Sequence, residues 1–308
     1  MNRRAWLLFA TVSVVWGIPY LLIKIAIEDL SPVVVVAGRV AIAALVLVPV
    51  AAAQGALPAL RRHLGAVVTL GFVHIVGPFL LITYGEIHIS SSLTGLLIAI
   101  EPVVIALLLV RSERLTAIRV AGLGLGLVGV AVLVGLDLSG DRWGLLGAAM
   151  VLLATVLYGI ATIFVQRRAS EVPPTALVAG TTTVSTVVLA PVAAFALPTT
   201  AVSARSWGAL TALGVLCTAV ALLAFYQLIG DAGPTRAGLV TYVNPAVAVL
   251  VGVMVLDEPL RVSTVAGFAL IVAGCWLSTR RPRAQQATPS ATAPDSGSMA
   301  TTTGRPAG

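Results

Sequence analysis

The chain has 308 residues, of which 58% are hydrophobic and only 10% charged, and its mean hydropathy is +1.04. Soluble domains carry about 25% charged residues, so this composition excludes an ordinary soluble domain and indicates a polytopic membrane protein. The net charge of +7 comes from eighteen arginines and one lysine, Lys24, with the arginines at the ends of apolar stretches. That distribution points to basic membrane-flanking loops and away from nucleic acid. A phosphate-binding P-loop is excluded as well, because it needs a lysine after its glycines.

Ten apolar stretches follow one another, each near the ~20 residues that cross a hydrocarbon core. They run from about 5–25, 32–53, 64–84, 92–110, 117–136, 143–165, 174–197, 206–228, 234–256 and 262–279. Breakers fill the connections, as in Asp29-Leu30-Ser31-Pro32 and Glu171-Val172-Pro173-Pro174. The first stretch follows Arg3-Arg4 but is followed by no small-x-small cleavage site, so it reads as a retained span. With ten spans, thirteen arginines near span ends fall on the side of the termini and three (Arg142, Arg205 and Arg261) on the other. The positive-inside rule then predicts both termini in the cytoplasm. Residues 281–308 are rich in Ala, Thr, Ser, Pro and Gly, and are predicted to be a disordered tail.

The second half replays the first. Trp16-Gly17 matches Tyr158-Gly159, and Ser31-Pro32 matches Pro173-Pro174, both at an offset of 142. Glu101-Pro102 matches Asn244-Pro245 at 143, and Glu113-Arg114-Leu115 matches Glu258-Pro259-Leu260 at 145. Each copy has five spans, so the second inserts upside down relative to the first. The predicted fold is therefore all-α and integral to the membrane, with ten transmembrane helices as two inverted five-helix repeats. The repeats cover residues 1–137 and 138–280. Such repeats with centrally broken helices support alternating access around a midplane site.

With their Glu-Pro-Val and Asn-Pro-Ala cores, each followed by a Glu-x-Leu segment and a glycine-bearing last span, residues 5–279 resemble paired EamA-type domains of the drug/metabolite transporter superfamily. One departure is the shorter lead into Glu113 in the first copy. The resemblance implies spans one to four and six to nine around a central cavity, with spans five and ten at the periphery. It also implies a secondary carrier, often an exporter of amino acids, metabolites or drugs across the plasma membrane.

The polar residues at mid-depth are the site candidates. A carboxylate at bilayer depth costs about 2.5–3.5 kcal/mol on insertion scales, so Glu101 is expected to face a partner or a wet cavity. Pro102 and Pro245 each remove a backbone donor and are expected to break spans four and nine. At ~1.5 Å per residue Arg39 and Glu101 lie roughly 10 and 14 Å below the same boundary, and they are expected to face one cavity and pair. Two uses remain open for them. Glu101 takes a proton or binds a substrate amine while Arg39 binds a carboxylate, or the two form a structural ion pair.

Trp16 and Tyr158 are candidate cavity walls, as against space fillers. His74 and Thr181 are cavity candidates, as against packing and local hydrogen bonding. Tyr242 and Asn244 stand two residues apart, so they cannot share a helical face, and Asn244 is the better candidate. Lys24 is expected to snorkel to headgroups, and Glu28, Asp29, Glu86 and His88 to be solvated in outer connections. Gly122-x-x-x-Gly126 offers a close helix contact, either within the bundle or in a homodimer.

No metal or cofactor motif is present, and neither are the signatures of zincins and serine hydrolases. The expected ligands are a small-molecule substrate, with protons as a candidate coupling ion, in a lipid bilayer and without nucleic acid. The alternatives are a nucleotide-sugar or phosphometabolite exchanger, which needs more deep cations than Arg39, or a non-transporting scaffold or intramembrane enzyme.

Overall fold

The computed structural model describes residues 1–109, 116–137, 141–232 and 237–279. Glu113-Arg114-Leu115, Pro234-Thr235-Arg236 and the expected tail at 281–308 lie outside the described residues. Among the described residues, eight helices are long and apolar enough to cross a membrane: α1 (Arg3–Ala26), α2 (Pro32–Ala53), α3 (Leu64–Gly85), α4 (Ser91–Leu108), α5 (Ala117–Gly135), α6 (Arg142–Ala169), α7 (Pro174–Ala194) and α8 (Ala204–Ala232). Two shorter apolar helices follow, α9 (Val240–Leu256) and α10 (Val262–Ser278). Among the described residues the secondary structure is helical throughout.

The helices start where the sequence supplies a cap. The side chains of Asn2, Ser90, Asp141 and Ser203 each accept a backbone N–H of the first turn, while Pro32 and Pro174 open their helices, where the missing N–H costs nothing. Contacts between helix ends sort the bundle into two faces. On the near face, which holds the start of α1, Arg4 pairs with Asp231 of α8 (3.4 Å) and Thr175 of α7 donates to Gln54 after α2 (2.8 Å). On the far face Ser203 N donates to Asp29 (3.0 Å), Ser31 donates to Ala196 O (3.2 Å) and Ser91 N donates to Glu258 (2.7 Å). Accepting first from Ser203 and then from Ser206, the Asp29 carboxylate is held below the usual carboxylate range.

The helix contacts come in pairs about 143 residues apart. A Cβ on Gly38 would lie 2.9 Å from Leu210, and one on Gly180 would lie 2.9 Å from Val67. Gly214 lets α8 approach Ile42 and the Arg39 carbonyl of α2, and Gly71 lets α3 approach Val184 and the Thr181 carbonyl of α7. Gly17 faces Val247, and Gly159 faces Val104. Wide π-helical turns fall in α3 at Gly71–Val76 and in α8 at Val215–Val220, 144 residues on. Interior prolines stand at Pro49 of α2 and Pro191 of α7, 142 residues on.

α5 and α10 lie along each other. A Cβ on Gly122 would sit 2.8 Å from Gly274 O, and one on Gly129 would sit 3.0 Å from Gly267 O. Gly126 packs on Val103 of α4. The Gly122-x-x-x-Gly126 stripe is thus used inside the bundle and is not available as a dimer surface.

The two predicted breaks differ. α4 is interrupted at Ala99-Ile100, between the segments Ser91–Ile98 and Glu101–Leu108, and Pro102 lies in the first turn of the second segment. In contrast to the expectation, α9 runs through Pro245 without a break, and its irregular turn is at Gly238-Leu239. Pro245 leaves the Thr241 carbonyl, one turn earlier, without a helical donor, but a neighbouring cavity makes that tolerable.

Replacing Gly274 by Leu forces a side chain into the α5 backbone, and overpacking of this kind costs about 1–3 kcal/mol. Gly124 has nothing within 4 Å of its Cβ position. In thermal melts of detergent-solubilised protein, Gly274→Leu is expected to lower Tm clearly and Gly124→Leu to leave it near wild type.

Candidate functional site

The helices enclose a cavity of about 590 Å³. Its lining reaches the near ends of α6 and α9 at Gln166 and Thr241, both exposed. Toward the far face it stops at the level of Ile23 and Ile82, which are 2% and 4% exposed. The cavity therefore opens at the near face and is sealed at the far one.

Nine of the ten sequence-predicted positions turn to this space. Trp16, Arg39, His74, Glu101, Pro102, Tyr158, Thr181, Asn244 and Pro245 all line it, so only Tyr242 is missing. Tyr242 turns the other way and packs against the apolar cluster that α4 and α10 help to build, as a helix requires of a residue two positions from Asn244.

Arg39 and Glu101 share the cavity but do not form the expected ion pair. The Arg39 guanidinium lies 4.0 Å above the Phe79 ring and donates through Nε to Thr218 Oγ1 (2.9 Å). Thr218 in turn donates to Leu213 O (2.8 Å), a carbonyl five residues back that the π-helical turn of α8 brings into reach. Glu101, freed from the α4 ladder by the break before it, accepts from Thr162 of α6 (3.1 Å). Each charge is thus held by one neutral hydroxyl, which separates them and leaves each with hydrogen-bonding capacity toward the cavity.

The aromatic lining is also paired. Trp16 of α1 leans on Phe225 of α8 at 4.8 Å between ring centroids, and Tyr158 of α6 meets His74 of α3 edge-on at 5.7 Å. With its amide turned so that nitrogen meets carbonyl oxygen, Asn244 donates to Ser13 O (3.0 Å) and Val240 O (2.8 Å), and ties α9 to α1. Thr181 donates along its own helix to Val178 O (3.1 Å).

Sequence reasoning missed Tyr20, Phe79, Thr162 and Thr218. Two of these had a usable signal. Tyr20 is one turn beyond Trp16, and Thr218 is the repeat counterpart of His74 at an offset of 144.

Two expectations about the far face are corrected. Lys24 does not snorkel outward but turns inward, donating to the backbone carbonyls of Glu86 and Ile89 (2.8 Å to the latter). Glu86 is not solvated. It is 0% exposed, and neither carboxylate oxygen has a hydrogen-bond partner. Both connections close over the bundle where sequence alone placed open loops.

Among the described residues no group of three or more His, Cys, Asp or Glu is placed to hold a metal ion. Cys217 lines the cavity beside Thr218, whereas Cys275 donates to Ala99 O (3.3 Å) in the α4–α10 packing. A small water-soluble methanethiosulfonate added to the near face is expected to modify Cys217 and spare Cys275. Intact-mass and peptide spectrometry would then report one adduct, on the 217 peptide.

A family profile described as the EamA-like transporter family matches residues 3–135 and 145–280. An uncharacterized transporter of Archaeoglobus fulgidus is 25% identical over 280 residues, covering 90% of this chain and 99% of its own length. A probable terminal-alkyne amino-acid exporter of Streptantibioticus cattleyicolor is 26% identical, covering 91% and 95%. The uncharacterized inner membrane transporter YedA of Escherichia coli is 27% identical, covering 80% of each chain. A solved crystal structure at 22% identity superposes with a TM-score of 0.65, covering 91% of this chain and 97% of that one, and so shares the fold.

Proposed function

The chain belongs to the EamA-like transporter family, multi-pass membrane proteins that move small molecules, and from that premise we propose that it is a secondary carrier exporting small zwitterionic metabolites of the amino-acid class by alternating access. The observation that carries this reading is the placing of Arg39 and Glu101. Two opposite charges line one cavity, each anchored by a single hydroxyl and not by the other. Arg39 is suited to a substrate carboxylate, Glu101 to an amine or to the coupling proton, and Trp16, Phe79 and Tyr158 to an apolar side chain. The Streptantibioticus relative, a probable terminal-alkyne amino-acid exporter, agrees with this substrate class.

In this reading the ten helices are two inverted five-helix repeats, residues 1–137 and 138–280, with 281–308 as a tail. The paired glycine contacts and paired π-helical turns support it, since each contact made by the first half against the second has a counterpart with the halves exchanged. The site residues pair in the same way: Trp16 with Tyr158, Arg39 with Thr181, His74 with Thr218 and Glu101 with Asn244. All the ionisable charge of the site is then supplied by the first repeat, and the second answers with neutral hydroxyls and an amide. Both termini are cytoplasmic in the plasma membrane, the near face is the cytoplasmic one, and the cavity stands open to it.

The test compares small molecules released by bacterial cells carrying no carrier, the wild type or Glu101→Gln, at matched membrane levels. Hydrogen bonds to charged groups are worth about 1.5–3 kcal/mol, so Glu101→Gln is expected to lower release of one amino-acid-like class by roughly ten- to hundredfold. Equal release by wild type and variant would remove Glu101 from the mechanism. Equal release by wild type and empty cells would contradict export.

A further inference from the structure

We propose that Glu86 is a proton-binding site that closes the far mouth, so that acidity on that side alone holds the carrier open to the near side. The inference rests on the alternating-access reading above and adds to it a group outside the substrate cavity.

The far mouth is fastened where four segments meet. Glu258, in the connection after α9, accepts from the backbone N–H of Ser91 (2.7 Å) and of Ser92 (2.9 Å) and from both serine hydroxyls. Its carboxylate therefore crosses from the α9–α10 connection to cap α4. Gly252 makes room for it, since a Cβ there would lie 2.5 Å from Glu258 Oε2. Lys24 crosses from α1 to the α3–α4 connection and donates to the carbonyls of Glu86 and Ile89. Between these two clasps is the Glu86 carboxyl group, with no exposure and no donor on either oxygen.

The titratable and charged groups around it are Lys24 and Tyr20 of α1, Arg39 of α2 and Glu258 of the α9–α10 connection. Lys24 and Glu258 balance each other's charge, and Lys24 places its hydrogen bonds on backbone carbonyls and not on the Glu86 carboxylate. Arg39 is engaged by Thr218 and the Phe79 ring, so an ionised Glu86 would be a buried carboxylate with no donor on either oxygen, which is a costly arrangement. Burial, more than the opposing pull of Lys24, pushes the Glu86 carboxyl well above the usual carboxylate range. Closing the mouth therefore takes up one proton from far-side water, and opening it returns that proton to the same water.

The repeat makes the site one-sided. Lys24 corresponds to Gln166 at an offset of 142, and Glu86 corresponds to Gly230 at 144. Gln166 is exposed at the near mouth, and nothing lies within 4 Å of a Cβ on Gly230. Among the described residues, neither of these near-mouth positions carries the cation or the carboxyl, and the near-face carboxylate beside them, Asp231, is paired with Arg4. Asp29, the neighbouring far-face carboxylate, keeps its charge to a lower pH than usual because it accepts from Ser203 and Ser206, so it stays ionised in the range where Glu86 titrates.

The linkage has a definite sign. Glu86 has a raised pKa in the closed state, so the stability of that state is present at low far-side pH and is lost as pH rises through the closed-state value. Between the open-state and closed-state values the closed-to-open ratio changes by about tenfold per pH unit.

Spin labels at Ile87→Cys and Trp207→Cys report the far mouth, and labels at Arg168→Cys and Gly230→Cys report the near one. All four positions are exposed, and the full chain would be studied in nanodiscs with Cys217 and Cys275 replaced by alanine. As the pH is raised above the ordinary glutamate range, the far pair is expected to gain a longer-distance population in the base protein, with a reciprocal change at the near pair. Glu86→Gln mimics the neutral acid, so it is expected to fold and to keep the short far distance at every pH. A pH response that survives in Glu86→Gln overturns the proposal. So does a base protein whose two mouths exchange populations independently of pH, although the carrier reading then stands. If neither pair ever shows a second population, this proposal and the alternating-access reading fall together.

Discussion

A charge cannot remain in hydrocarbon without a partner or water, and the arrangement of this bundle follows from where its few charges are allowed to go. Arg39 and Glu101 are on different helices at mid-depth, and both reach one shared cavity and not the lipid. That space exists because the helices around it are irregular at the same level. α4 is interrupted just before Glu101, and α3 and α8 each carry a wide π-helical turn. The α8 turn also brings the Leu213 carbonyl within reach of Thr218, which lets the threonine hold Arg39. Irregular backbone and polar side chains therefore occur together, each making the other tolerable.

Packing supplies the rigidity that such a cavity needs. Close approaches at Gly17, Gly38, Gly71, Gly159, Gly180 and Gly214 bring helices of one half against helices of the other. Because the contacts recur with the halves exchanged, the frame is nearly symmetric while the groups presented to the cavity are not. Arginine, histidine and glutamate in the first half correspond to threonine, threonine and asparagine in the second. In the carrier proposed above, a symmetric frame gives two conformations of similar energy, and the unequal side chains give the substrate one orientation and the two mouths different locks.

Much of this was legible in the chain itself. Apolar length fixed the span boundaries to within a few residues, because proline, serine and asparagine caps stand where the runs begin. The repeat matched Glu101 with Asn244 and Trp16 with Tyr158, all four of which line the one cavity, and depth alone brought Arg39 into the same space. Contacts that depend on a third element were not legible. Thr218 and Thr162 separate Arg39 from Glu101, and neither hydroxyl stands out among so many threonines. Hydropathy could not say that Pro245 sits in a continuous helix, since a proline and its freed carbonyl are compatible with a break or with a wet groove. Lys24 and Glu86 read as surface residues because they fall at span ends, whereas the connection from α3 to α4 folds inward over them.

The claim on which the rest depends is that one cavity is reached from each face in turn. Ala99 lines it at the break in α4, and cysteine there is a small change. Ala99→Cys, with Cys217 replaced by alanine, would be treated with a membrane-impermeant maleimide in right-side-out and in inside-out vesicles. The account predicts modification from both sides, faster from the near face to which the cavity stands open. Modification from one face only, over the time in which cells release metabolite, would contradict it.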